Sequence, residues 1–164
     1  MLGLGSTFWV ELPLVESPVE QATRSESPDF RELGSPARLC TVLYIEDNLV
    51  NLKLVERIIG LRLEFRVLAA MQGARGLELA REHRPDLILL DLHLPDIHGG
   101  EVLRRLKLAP ETRDLPVIVL SADATAGQTE RFRAAGAYAY LTKPLDVRQF
   151  LEVVLNAVGS APPN

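Results

Sequence analysis

Cysteine is nearly missing from this chain: Cys40 is the single one among 164 residues. That excludes an intrachain disulfide and suits a reducing compartment. Aromatic residues are scarce, at 5%, and none interleaves with the basic cluster Arg104-Arg105-Lys107. The cluster therefore reads as a solvated helix face rather than a nucleic-acid patch. Positive charge is not in excess either, since the net charge is -4, so non-specific nucleic-acid binding is not expected. No apolar run approaches a membrane span, and the amino terminus lacks a basic stretch followed by an apolar one. The expectation is a soluble, cytoplasmic chain with no membrane contact of its own. Any anchor of a parent protein would lie outside this sequence.

What is present is an apolar share of 47%, enough for one core of ordinary size. Gly3 to Thr7 forms a glycine turn before a plausible strand, Phe8 to Leu12, which Pro13 ends. Residues 15–37 carry Pro18, Pro28 and Pro36 with several serines and no sustained periodicity, a linker composition. From there strands and helices alternate. The pattern gives strands at 40–45, 64–69, 87–90, 117–120 and 137–141. It gives helices at 48–59, 76–82, 100–108, 125–135 and 146–158, the first with Leu54, Val55 and Ile58 on one face. Asn48 and Asp146 are the expected caps of the first and last helices. Five βα units imply an α/β fold, a parallel sheet with helices on both faces joined by right-handed crossovers.

The stretch Leu87-Ile-Leu-Leu-Asp91 organises the rest. Four apolar residues read as a strand buried on both faces, and a carboxylate at its end is costly unless the strand emerges into a polar crevice. Functional groups of such folds collect at the carboxyl ends of strands, and Glu46, Asp47, Asp91, Ser121 and Lys143 all stand there. Three acids close together repel one another, and a hard divalent cation such as Mg²⁺ relieves this. Asp91 can be a nucleophile, Lys143 a positive charge for phosphoryl oxygens, and Ser121 a hydroxyl for one of them. The group suits in-line phosphoryl transfer onto Asp91. His93, Asp96 and His98 share a loop too tight to aim all three at one transition-metal ion.

The pattern Glu46-Asp47-Asn48, Asp91-Leu-His-Leu-Pro-Asp-Ile-His-Gly99, Ser121-Ala122 and Lys143-Pro144 resembles the receiver domain of two-component response regulators. The resemblance covers residues 38–158. It implies a flavodoxin-like doubly wound sheet in the strand order 2-1-3-4-5, with Asp91 as phospho-acceptor. It further implies Mg²⁺ held by Glu46, Asp47, Asp91 and the backbone carbonyl of His93, and a cis Lys143–Pro144 bond. Tyr140 stands where the family places an aromatic switch that moves with the hydroxyl residue, here Ser121. His93 and Asp123 stand at the positions that border the approach of a hydrolysing water. Asp123 is expected to orient that water, and His93 to crowd it.

Residues 3–13 resemble the last glycine turn and strand of a histidine-kinase ATPase domain. The expected organisation is a kinase remnant over 1–14, a linker over 15–37, a receiver over 38–158 and a tail over 159–164. That is the carboxyl-terminal piece of a bacterial hybrid sensor kinase, without ATP-binding or kinase activity of its own. Its implied partners are a phosphohistidine-bearing kinase dimerisation domain or a histidine phosphotransfer protein; a homodimer stays open. Leu49, beside Asp47 and off the apolar face of the first helix, is the expected partner contact. Two alternatives stand beside phosphorelay signalling. A degenerate receiver acting as a scaffold sits poorly with the intact acceptor, acid pair and lysine. A flavodoxin-like enzyme would want a Ser/Thr/Gly-rich loop after the first strand, where Glu46-Asp47-Asn48 stands. An aspartyl phosphatase would usually carry a second Asp two residues after the nucleophile, where this chain has His93.

Overall fold

A computed structural model describes residues 39–60, 65–123 and 125–159. The expected kinase-type strand, the linker and residues 160–164 lie outside them. The strands are β1 (Cys40–Ile45), β2 (Phe65–Ala70), β3 (Leu87–Asp91), β4 (Val117–Ser121) and β5 (Ala139–Thr142). The helices are α1 (Leu49–Gly60), α2 (Gly73–His83), α3 (Gly99–Leu108), α4 (Ala126–Ala134) and α5 (Val147–Gly159). All pairings are parallel, and the sheet order is β2-β1-β3-β4-β5. This is the doubly wound flavodoxin-like order expected from the sequence.

β3 and β4 are buried along their whole length, which explains their uninterrupted apolar runs. Successive residues face opposite sides, so the pleat divides the core in two. Leu43, Ile45, Ile88, Leu90, Val117 and Val119 pack with Leu77, Val102, Leu106 and Phe132, on the side of α2, α3 and α4. Val42, Tyr44, Leu87, Leu89, Ile118 and Leu120 pack with Leu52, Val55, Phe150 and Val154, on the side of α1 and α5. Burying one leucine of these layers fully is worth about 1.5–3 kcal/mol.

Caps follow the sequence. Asn48 Oδ1 accepts the N–H groups of Val50 and Asn51 at 2.8 and 3.4 Å, and Asp146 Oδ1 accepts that of Gln149 at 2.8 Å. The expected face of α1 needs correction. Val55 and Ile58 are buried, but with Leu52 and Ile59, while Leu54 is half exposed. α1 packs along one stripe only, so an apolar residue on its flank stays in solvent. β5 also begins two residues later than expected. Ala137 precedes the ladder, where its N–H bonds Phe132 O at 3.0 Å, and the edge strand is only four residues long.

Candidate functional site

The register brings the strand ends level. Ile45 pairs with Leu90, so Glu46 lies beside Asp91, and Ser121 pairs with Thr142, so Lys143 follows directly. Pleat parity then sorts the side chains. Glu46, Asp91 and Lys143 share the parity of Tyr44, Leu89 and Leu141, whereas Ser121 and Tyr140 share that of Val119 on the α4 side. Glu46, Asp91 and Lys143 therefore stand on one face of the sheet, and Ser121 and Tyr140 on the other.

Lys143 Nζ lies 2.6 Å from Glu46 Oε2 and 3.0 Å from Asp91 Oδ2. Glu46 is fully buried, a position that costs several kcal/mol for an uncompensated carboxylate. Its compensation is complete. Tyr44 Oη donates to Oε2 at 2.7 Å, Asn51 Nδ2 to Oε1 at 3.1 Å, and the Asn48 N–H to Oε1 at 3.3 Å. Burial alone would push the Glu46 carboxyl up, yet the bonds from Lys143, Tyr44 and Asn51 hold it below the usual range. Tyr44 is driven the other way, first by burial and then by its bond to Glu46. Glu46 is thus a fixed anion at neutral pH.

Asp91 is buried, and its Oδ1 lies 3.4 Å from the His93 N–H. Asp47 is exposed and has no hydrogen-bond partner among the described residues. One carboxylate oxygen from each of Glu46, Asp47 and Asp91 lies within 4.8 Å of the others. An all-oxygen donor set with one unpaired carboxylate and an open side fits a hard cation that keeps part of its water shell, as Mg²⁺ does. A Cβ at Gly99 would run into the Asp91 carbonyl oxygen and come within 2.8 Å of Leu92 Cα. Only glycine lets the chain fold back this closely behind the acid.

Ser121 is buried, and its Oγ accepts the Asp123 N–H at 3.1 Å. Tyr140 is turned inward, 8% exposed, and stacks on Phe132 with ring centroids 5.7 Å apart. Its hydroxyl donates to Asp123 O at 2.5 Å and lies 3.3 Å from Gln128 Oε1. Both carboxylate oxygens of Asp123 already have partners: Thr125 N–H on Oδ1 at 3.2 Å and Gln128 Nε2 on Oδ2 at 2.8 Å. The side chain expected to orient a water is therefore held by the start of α4. His93 is exposed, with its ring edge-on to that of His98 at 6.4 Å. Leu49 is 58% exposed, next to a still more open Val50. The Lys143–Pro144 bond is cis.

Residues 42–155 match the response regulator receiver domain model. The chain belongs to the response regulator receiver family. It is a receiver domain of two-component phosphorelay signalling. It is similar to the polar-differentiation response regulator DivK of Brucella anthropi, 41% identical over 121 residues, 74% of this chain and 98% of that protein. The receiver domain of a sensor histidine kinase from Pseudomonas aeruginosa, solved with a magnesium ion coordinated in its active-site cleft, is 30% identical with a TM-score of 0.68. The match spans 75% of this chain and all of that one. A CheY-like receiver domain from Methanospirillum hungatei is 26% identical over 76% of this chain and 97% of its own, with a TM-score of 0.67. Among the described residues no helix of the receiver is long and apolar enough to cross a membrane.

Sequence reasoning passed over Tyr44, Asn51 and Gln128. The signal for Tyr44 was available, since strand alternation puts it on the face of Glu46, and a buried carboxylate demands donors. Gln128 gave no such signal, because its partners lie on a loop and on β5.

Proposed function

We propose that this receiver takes a phosphoryl group from a phosphohistidine onto Asp91. The observation that carries the reading is Lys143 Nζ held between two buried carboxylates, 2.6 Å from Glu46 and 3.0 Å from Asp91. In the transfer a P–O bond forms to an Asp91 carboxylate oxygen as the P–N bond to the donor imidazole breaks, and the imidazole takes up a proton. Lys143 then turns its charge to the phosphoryl oxygens, and Ser121 donates its hydroxyl to one of them. Glu46, Asp47, Asp91 and the His93 carbonyl would hold Mg²⁺, which when bound offsets the charge on the transferred group. Ser121 and Tyr140 form the switch, and Leu49 belongs to the surface that meets the histidine-bearing partner.

The working unit spans residues 38–158, in the cytoplasm. The Gly3–Pro13 motif and the likeness to a sensor-kinase receiver support a hybrid kinase as its parent. A chain beginning at Arg38 that failed to melt cooperatively would count against that boundary. The central test is labelling with acetyl phosphate and Mg²⁺. The wild-type chain should gain one phosphoryl group, and chelation or Asp91→Asn should abolish the gain. Equal labelling of Asp91→Asn overturns the reading.

A further inference from the structure

α2 begins without a cap of its own. Gln72, the residue before its first turn, is extended (φ -140°, ψ 144°) and makes no side-chain bond to the helix. The first N–H groups of a helix need acceptors. They find them 23 residues away in sequence: Asp96 Oδ1 accepts the Gly73 N–H at 2.8 Å, and its Oδ2 accepts that of Ala74 at 2.9 Å. The approach is close enough that a Cβ at Gly73 would lie 2.8 Å from Val102 Cγ2 and 3.3 Å from the Ile97 carbonyl.

Asp96 is the apex of the loop that follows Asp91. The base of that loop is closed by the Gly99 N–H on Leu92 O at 3.0 Å. Its far end is fixed where His98 Nδ1 accepts the Gly100 N–H at 3.1 Å. Between base and apex lies His93, whose N–H faces the acceptor carboxylate at 3.4 Å. The two bonds of Asp96 therefore tie the backbone beside Asp91 to a helix on which neither residue sits. We infer that Asp96 is a positioning residue of the phosphoryl-accepting site, holding the His93 backbone in register with Asp91 by clamping the loop to α2. This rests on the reading of Asp91 and its acid neighbours given above. Losing an outer partner of this kind typically costs ten- to a hundredfold in metal affinity.

A helix cap and a loop clamp can be separated experimentally. Asp96→Ala removes both, whereas Asp96→Ala with Gln72→Ser restores a local cap, because serine before the first turn accepts an N–H of that turn itself. Mg²⁺ is titrated calorimetrically into the full chain, and the thermal midpoint is measured alongside. Asp96→Ala should lower both the midpoint and Mg²⁺ affinity, the latter about tenfold. The double variant should recover the midpoint while its Mg²⁺ affinity stays low. Recovery of both would make Asp96 only a cap and overturn the inference, as would unchanged affinity in Asp96→Ala. A wild-type chain that binds no Mg²⁺ would overturn the metal site itself, and the inference with it.

Discussion

Lys143 and Glu46 stand 97 residues apart in the chain and 2.6 Å apart in the fold. With Asp91 they make a pair of acids around one cation, and Asp47 adds a third carboxylate from the rim. Removing the lysine leaves a buried carboxylate without its strongest partner. Lys143→Met should lower stability in chelator by about 2–3 kcal/mol, less than the roughly 3–5 typical of fully buried pairs because the lysine is partly exposed. Saturating Mg²⁺ should restore part of the loss, since binding to the folded state alone adds about 2.7 kcal/mol at a hundred times the dissociation constant. Urea unfolding with and without Mg²⁺ measures both effects. An unchanged midpoint in chelator would mean that Lys143 does not hold the acids together.

Asp96 gives a pH dependence of known sign. The Ala74 N–H, with that of Gly73 and despite slight desolvation, holds its carboxyl below the usual carboxylate range. A group whose folded pKa is depressed contributes stability that is complete above its unfolded pKa, about 3.9. The contribution fades as pH falls through the lower folded value. Asp96→Asn keeps one acceptor and loses the charge. Its thermal midpoint should trail that of the wild type at pH 6 and converge with it below about pH 4. Thermal melts across that range decide the matter, and parallel curves would show that the Asp96 carboxylate does not carry the effect.

Much of this was legible in the sequence because burial leaves a direct mark there. β3 and β4 read as strands since both faces are covered, and the acids at strand ends stood out as charges where none is affordable without partners. α1 was legible as a helix but not in its rotation. Leu54 and Leu52 are equally apolar, and only the position of α1 against β1 and α5 decides that Leu52 is inside. The Asp96 clamp joins residues 23 apart in the chain, and Gln128 meets Tyr140 across 12, both through short polar contacts. Such contacts carry no periodicity, so the sequence pattern is blind to them.

Leu49 offers a test of the partner surface. It is 58% exposed at the start of α1, two residues beyond Asp47. Exposed substitutions of this kind usually change stability by less than about 0.5 kcal/mol. Leu49→Ala should therefore melt like the wild type and accept phosphate from acetyl phosphate at the same rate. Transfer from its phosphohistidine partner should slow, because that step alone requires docking. Equal rates with both donors would leave Leu49 as ordinary surface.

The lifetime of the phosphoryl group is set by whatever can orient water behind it, and here the geometry redirects the expectation. Asp123 was expected to orient the water, yet Gln128 Nε2 holds its Oδ2 at 2.8 Å while Thr125 N–H occupies Oδ1 at 3.2 Å. The same Gln128 amide lies 3.3 Å from the Tyr140 hydroxyl, so one side chain restrains both the carboxylate and Tyr140. Cutting that restraint should free Oδ2 to hold a water in line with the acyl phosphate. Gln128→Ala should then shorten the lifetime, and the effect should vanish in an Asp123→Ala background, the mark of coupled residues. His93→Ala should shorten it independently by opening the approach from the other side. The measurement is decay of purified phosphoprotein after donor removal at fixed Mg²⁺ and pH. If Gln128→Ala acts equally with and without Asp123, the amide works through Tyr140 alone and the carboxylate has no part in hydrolysis.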